Sequence, residues 1–137
     1  MASAVDEALI ETFRRIYTSI QHGDSDELTS SLAHDIEFVL PESLPWGGPH
    51  HGPLGVAAMV EIYWDHVDGS WADPDEFLED GDRVVVLGRL TGKVRSSGQR
   101  FEVPFAHVWG LSEGVPYRLR AYYDSAPITA ALEGTGS

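Results

Sequence analysis

His107 is the side chain in this sequence best placed for acid–base work near neutral pH. It lies in QRFEVPFAHVWGLSEGVPYRLRAYYD, residues 99–124, with Phe105 and Trp109 two positions to either side. In a strand, residues two apart point the same way, so these three share one face. Imidazole donates or accepts a proton near neutrality, and an apolar surround lowers its pKa. Such a histidine is either a core residue satisfied through both ring nitrogens or the polar group that orients a ligand. Glu42 is the second candidate. It follows Phe38 and Leu40 with the same parity. If the strand extends that far, its carboxylate points to the same interior as theirs. Desolvated beside Phe38 and Trp46, a carboxyl holds its proton more tightly and is suited to moving a proton next to a carbonyl. The alternative is an exposed loop glutamate between Pro41 and Pro45.

A second tier of residues could hold a ligand without reacting. Tyr17, Tyr63 and Tyr123 each offer a hydroxyl to a ligand oxygen. Phe38, Phe105, Trp46 and Trp109 would line an apolar pocket suited to a flat, conjugated guest, although tryptophans, Trp64 included, are more often core. Trp71 follows Gly69-Ser70 and reads as exposed. His50 and His51 lie at the expected cavity mouth, and adjacent side chains diverge, so at most one, taken as His50, faces inward. The pair has neither H-x-H nor H-x₃-H spacing and no third ligand, which argues against a metal. His22, His34 and His66 fall at element ends, where a solvated or capping role is usual.

The elements that must position these residues are legible in order. Val5, Leu9, Phe13, Ile16, Tyr17 and Ile20 make one helical stripe over 4–21. Asp24 caps a short second helix to about Leu32, with Glu27 completing a capping-box pattern. Residues 35–40 form a strand. Residues 41–53, PESLPWGGPHHGP, form a loop that packs on something, since it carries a tryptophan and two histidines. A helix runs over 53–66, with Pro53 in its first turn. After a break over 67–73 come strands at 74–79, 83–94, 100–111 and 115–123, with turns at Asp80-Gly81-Asp82, Ser96-Ser97-Gly98 and Ser112-Glu113-Gly114. Arg89 points to the outer face. Asp124 caps a terminal helix over 125–132, and 133–137 frays. Helices first and then a long meander predict an α+β fold. It is a cone-shaped, curved antiparallel sheet with the N-terminal helices on its concave face.

The chain has 137 residues, 22 acidic against 9 basic side chains, a net charge of −13 and no cysteine. That length suits one domain spanning 1–137, with its core over about 4–132. The absence of cysteine excludes disulfides, thiolate zinc and a cysteine nucleophile. The charge repels phosphate backbones and argues against nucleic acid. No apolar run approaches the ~20 residues of a membrane span. The acidic, amphipathic start is unlike a signal peptide, so a cytoplasmic protein is expected.

The loop ESLPWGGPHHG, the strands GDRVVVLGRLTGKV and FEVPFAHVWGLSEG, and the ending YYD together resemble the SnoaL-like family. That family belongs to the ketosteroid-isomerase and nuclear transport factor 2-like superfamily. The likeness spans about Leu9 to Leu132. It implies the cone fold, a homodimer through the outer sheet face, and a small apolar or aromatic ligand handled without cofactor. It favours a pocket role for His107 and places Tyr17 near the isomerases' oxyanion tyrosine. The catalytic acids of the family carry over poorly. The cyclases' aspartate, fourteen residues after a pocket histidine, falls on Ala121. The arginine–aspartate pair of the epoxide hydrolases falls on Gly88 and Leu90. The isomerases' aspartate before a proline is Leu40, before Pro41. Three readings follow: an enzyme in which His107 and Glu42 share proton transfer on a polyketide-like or other carbonyl substrate, by cyclisation, isomerisation or dehydration; a pocket that binds or templates without converting; and a dimerisation module whose cone is filled by Phe38, Trp64, Phe105 and Trp109.

Overall fold

The computed structural model describes residues 7–69 and 71–134. Helix α1 (Glu7–Gln21) buries Ile10, Phe13, Ile16, Tyr17 and Ile20, the expected stripe. The expected first turn, with Ala4 and Val5, lies outside the described residues. Helix α2 (Asp26–Ser31) begins two residues after Asp24, whose Oδ1 accepts the Asp26 N–H at 2.9 Å. Strands β1 (Glu37–Leu40) and β2 (Gly48–His51) precede helix α3 (Gly52–His66). Then come β3 (Val67–Asp68), β4 (Ala72–Asp80), β5 (Arg83–Val94), β6 (Arg100–Ser112), β7 (Val115–Tyr123) and helix α4 (Ala126–Glu133). The cap of that last helix is Ser125 and not Asp124, which lies one residue earlier and accepts the Ala126 N–H on its Oδ1 at 3.0 Å.

The strands form one seven-stranded sheet in the order β2-β1-β7-β6-β5-β3, with β4 also paired to β5. It curls into a half-barrel with helices against its concave side, so the α+β reading holds. Three details depart from the sequence reading. The segment 41–53 is not all loop, because Gly48–His51 pairs antiparallel with β1. The supposed break after α3 contains β3 and the start of β4. The sheet is also not wholly antiparallel, since β1 runs parallel to β7. The β1–β7 contact joins segments about 80 residues apart, beyond the reach of local patterning.

The central hairpin turns through Glu113 and Gly114, with φ of 51° and 80°. Two left-handed residues in a two-residue loop give the twist that matches antiparallel strands. Along β6, the buried residues are Phe101, Val103, Phe105, His107, Trp109 and Leu111. Register then sets His107 beside Val86 on β5 and Ala121 on β7, and Trp109 beside Val84 and Leu119. Phe38 on β1 aligns with Leu119. Gly88 pairs with Pro74 on β4. A Cβ there would sit 2.1 Å from the Asp73 carbonyl oxygen and 2.9 Å from the Phe105 ring, so no larger residue fits without displacing backbone. Among the described residues, His107 is the one buried side chain of this core outside the aliphatic, methionine, phenylalanine, tyrosine and tryptophan set.

Candidate functional site

Strand periodicity sets the floor of the site: Phe105, His107 and Trp109 stand in a row on the concave face. Helix periodicity supplies the roof, because the α1 stripe aims Tyr17 at that row. The Trp109 indole N–H donates to the Tyr17 hydroxyl oxygen at 3.0 Å. That hydroxyl lies 2.6 Å from His107 Nδ1. Indole can only donate, so the Tyr17 oxygen accepts there. The phenolic proton finds a partner only on His107 Nδ1, which places the single proton of a neutral imidazole on Nε2. The opposite tautomer would strand the phenolic proton and leave one more group unpaired.

Burial pushes the His107 pKa down to about 3, because the charged ring would lose its hydration. His107 is therefore neutral at physiological pH. Burial raises the pKa of Tyr17 far above its usual value, opposed in part by the Trp109 hydrogen bond. The Phe105 ring centre is 4.2 Å from that of His107, and the Trp71 ring centre is 6.3 Å away. Tyr17, Phe38, Trp71, His107 and Trp109 surround a small cavity with Ile16, Ile20, Leu28 and Leu119. Its free volume is about 10 Å³. That is close to the smallest space that holds one water. Two residues that line it hold buried nitrogens, His107 Nε2 and Trp71 Nε1, with no hydrogen-bond partner among the described residues.

The expected site residues separate into three groups. Tyr17, Phe38, His107 and Trp109 line this cavity, and Phe105 packs on the His107 ring. Trp46, Tyr63 and Tyr123 form a neighbouring aromatic cluster. There the Trp46 and Tyr63 rings meet edge to face at 4.8 Å, and the Trp46 N–H reaches the Tyr123 hydroxyl at 3.4 Å. Burial, then the Trp46 hydrogen bond in opposition, leaves the Tyr123 pKa pushed up to about 12. Burial, and then Tyr123, raises that of Tyr63 further.

Glu42 and His50 fall outside both groups. Glu42 does not point inward: it is exposed, on a surface groove with Pro41, Arg120 and Tyr122. Strand β1 ends at Leu40 and the chain turns at once, the Leu44 N–H bonding the Pro41 carbonyl at 3.4 Å, so the parity argument stops two residues short of Glu42. His50 does not face the cavity either. Its Nε2–H donates to the Trp46 carbonyl at 2.9 Å and ties the loop to β2. The exposed reading of Trp71 is also overturned, since it is buried against Tyr63 and His107. The only signal for it was that large aromatics seldom remain in water.

The chemistry open to this arrangement is narrow. Ala121 stands directly across from His107, so an acid at that position would have met the ring, and none is there. Leu40 and Leu90 are both buried. Among the described residues, no carboxylate, lysine or arginine lines the cavity. Among the described residues, no three His, Asp or Glu side chains come together in a way that could hold a metal ion, and no helix is long and apolar enough to cross a membrane.

Comparison with known proteins adds the context. The family model of the SnoaL-like domain matches residues 13–115. No curated protein matches the chain significantly. The fold is similar to an NTF2-like protein of unknown function from Burkholderia pseudomallei, 27% identical, covering 90% of this chain and 96% of that one with a TM-score of 0.83. It is similar also to TerC co-crystallised with polyporic acid, 26% identical over 91% of this chain and 98% of that one, TM-score 0.82. A protein from Jannaschia named for SnoaL-like polyketide cyclases shares the fold at 18% identity, covering 95% of this chain and 94% of that one, TM-score 0.78. The domain match over most of the chain, on a half-barrel with a buried histidine at its centre, means that this protein belongs to the SnoaL-like family.

Proposed function

We propose that this protein takes a small, largely apolar carbonyl compound of polyketide-like character into the cavity around His107, without a cofactor. It holds the compound in place and does not act on it with an acid–base pair. The observation that carries this reading is the buried chain Trp109–Tyr17–His107, which ends on an unpartnered ring nitrogen at a cavity free of carboxylates. A neutral imidazole can polarise a carbonyl, as an electrophile does, without giving up a proton. Such a site suits templating a reactive guest for cyclisation, or easing an isomerisation whose proton moves through solvent or through the substrate itself. The relative co-crystallised with polyporic acid supports a small organic ligand. Relatives named as an isomerase and a polyketide cyclase favour conversion as the second reading, with His107 still the polar group. The free space is close to one water, so a ring-sized guest enters only as the aromatic wall gives way.

Mass spectrometry of small molecules that co-purify with the protein identifies the guest. With that guest, His107→Gln is expected to lower affinity or turnover at least tenfold, while Glu42→Gln stays within about twofold of the parent. A tenfold loss in Glu42→Gln would restore the proton-transfer pair. The absence of any guest, with no effect of either change, would favour the filled dimerisation module.

The outer sheet face fits self-association. Leu78, Val85 and Val108 share one register row, which ends on Arg120, and Leu87, Ala106 and the half-exposed Tyr122 share the next, which begins at Glu76, so an apolar centre is flanked by opposite charges. Sedimentation is expected to find a homodimer that Val108→Glu shifts to monomer, because the introduced charge must be desolvated at the interface. A parent protein that sediments as a monomer at micromolar concentration would remove the dimer.

A further inference from the structure

The outer face of the sheet carries opposite charges on its two flanks. Register sets Asp80 of β4 in one row with Arg118 of β7, Leu78 with Arg120, and Glu76 with Tyr122. Between the flanks lie Val85, Leu87, Ala106 and Val108 on β5 and β6. Glu76, Asp80 and Arg120 are exposed, Arg118 is half-buried, and Leu78 and Tyr122 are 45% and 54% exposed. Glu37 aligns with Arg118 and Arg83 with Asp80, yet among the described residues none of the four charged flank residues is in an ion pair. A groove of about 330 Å³ lies on the β7 flank, and its lining holds three arginines, Arg83, Arg118 and Arg120, and one acid, Asp82. We infer that two copies of this chain pack outer face to outer face about a two-fold axis that runs along the strands between β5 and β6, so that β4 of each copy lies over β7 of the other. This rests on the self-association reading and gives it an orientation.

A two-fold contact is reciprocal: a residue that meets a second one is met by it in return. An axis along the strands exchanges the flanks and keeps the rows. Asp80 of one copy then faces Arg118 of the other, Leu78 faces Arg120, and Glu76 faces the Tyr122 hydroxyl, each contact made twice. The flanks are three strand spacings apart, about 14 Å, so the four apolar residues between them close on those of the other copy. Packed twisted sheets cross at about 30°, which slides Arg120 along β4 toward Asp80 or Glu76, an acid in either direction. Shape agrees with charge, since Leu78 projects from one flank and the groove lies on the other. An axis across the strands would set arginine over arginine and acid over acid, and like charges at an interface are costly. An unrelated acidic or basic partner would suit one flank and repel the other, whereas a second copy suits both. Each copy also carries a net charge of −13 and repels its like at a distance, so contact needs local attraction of this kind.

Sedimentation equilibrium of the full chain tests this with two double variants. Arg118→Glu with Arg120→Glu makes both flanks acidic, and Glu76→Arg with Asp80→Arg makes both basic. The parent is expected to dimerise, and each variant alone to self-associate at least about tenfold more weakly. An equimolar mixture of the two is expected to dimerise within about threefold of the parent, because every facing charge pair is again opposite. Isotope-filtered NMR of a parent dimer formed from labelled and unlabelled copies is expected to show the Leu78 methyl groups against Arg120 of the other copy. Variants that self-associate as the parent does, a mixture that stays monomeric, or Leu78 methyl groups against Leu78 of the other copy would each overturn the orientation while leaving the dimer. A parent that sediments as a monomer would remove the dimer and the orientation with it. The NMR contacts are read on the parent protein, so the conclusion does not depend on the variants folding well.

Discussion

Lowering the pH from 7 to 4 is expected to remove on the order of 3 kcal/mol of folding stability through His107 alone. In the folded protein its pKa lies at about 3, against 6.5 for an exposed histidine, because burial penalises the charged ring. Between those values the unfolded chain binds the proton and the folded one does not, so acid favours unfolding. The contribution is complete above about pH 6.5 and is lost progressively as the pH falls toward 3. Among the described residues, no carboxylate lines the cavity to offset this. Tyr17, from α1, is the titratable group bonded to the ring, and it stays protonated throughout. The carboxylates on the surface also titrate in this range, so the measurement must be a difference. Urea unfolding of the parent and of His107→Gln, each at pH 7 and pH 4, isolates the term. The variant should lose less stability than the parent by about that amount. Equal losses would mean that the ring is hydrated, or that it gains a partner when charged.

Trp109→Ala is expected to cost about 3–5 kcal/mol, the range for truncating a large buried aromatic. Trp109 is 2% exposed and is the point at which helix and sheet meet. Its ring lies 5.0 Å from Phe13 on α1 and 5.6 Å, edge to face, from Phe38 on β1. Its N–H is also the first donor of the chain that ends on His107. Truncation therefore opens a void among residues of three elements and leaves the Tyr17 oxygen short of a donor. Trp109→Phe keeps much of the packing and should cost roughly 1–2 kcal/mol, chiefly from the lost hydrogen bond. Combining Trp109→Phe with Tyr17→Phe should cost less than the two separately, since both break one network. Chemical denaturation of the three variants checks this. Strict additivity would show that the Trp109–Tyr17 bond contributes nothing to stability.

The two predictions concern residues that differ in how visible they were beforehand. The face shared by Phe105, His107 and Trp109 followed from alternation, since a strand has a period of two whatever packs on it. Ala121 was singled out by the family's fourteen-residue spacing from His107. Its place directly across from His107 depends on a register shift between Gly110 and Leu111, which counting round the tight turn misses by one residue. The α1 stripe, like the β6 face, was legible from its local period. These features identified the fold and showed which family acids were missing.

Other features depended on where chain segments far apart in sequence come to rest. Tyr17 meets His107 across 90 residues, and only the seating of α1 on the concave face decides that contact. Trp71 turns inward because β4 continues back to Ala72 and pairs with Leu90, which carries the tryptophan over the cavity. Glu42 turns outward because β1 stops at Leu40, a boundary that parity cannot foresee. Local sequence determined the secondary structure and the facing of each strand residue, since backbone geometry alone sets those periods. Only the tertiary structure decided which polar atoms are paired. In this protein it exposes the expected carboxylate and leaves one indole and one imidazole nitrogen buried with no partner among the described residues.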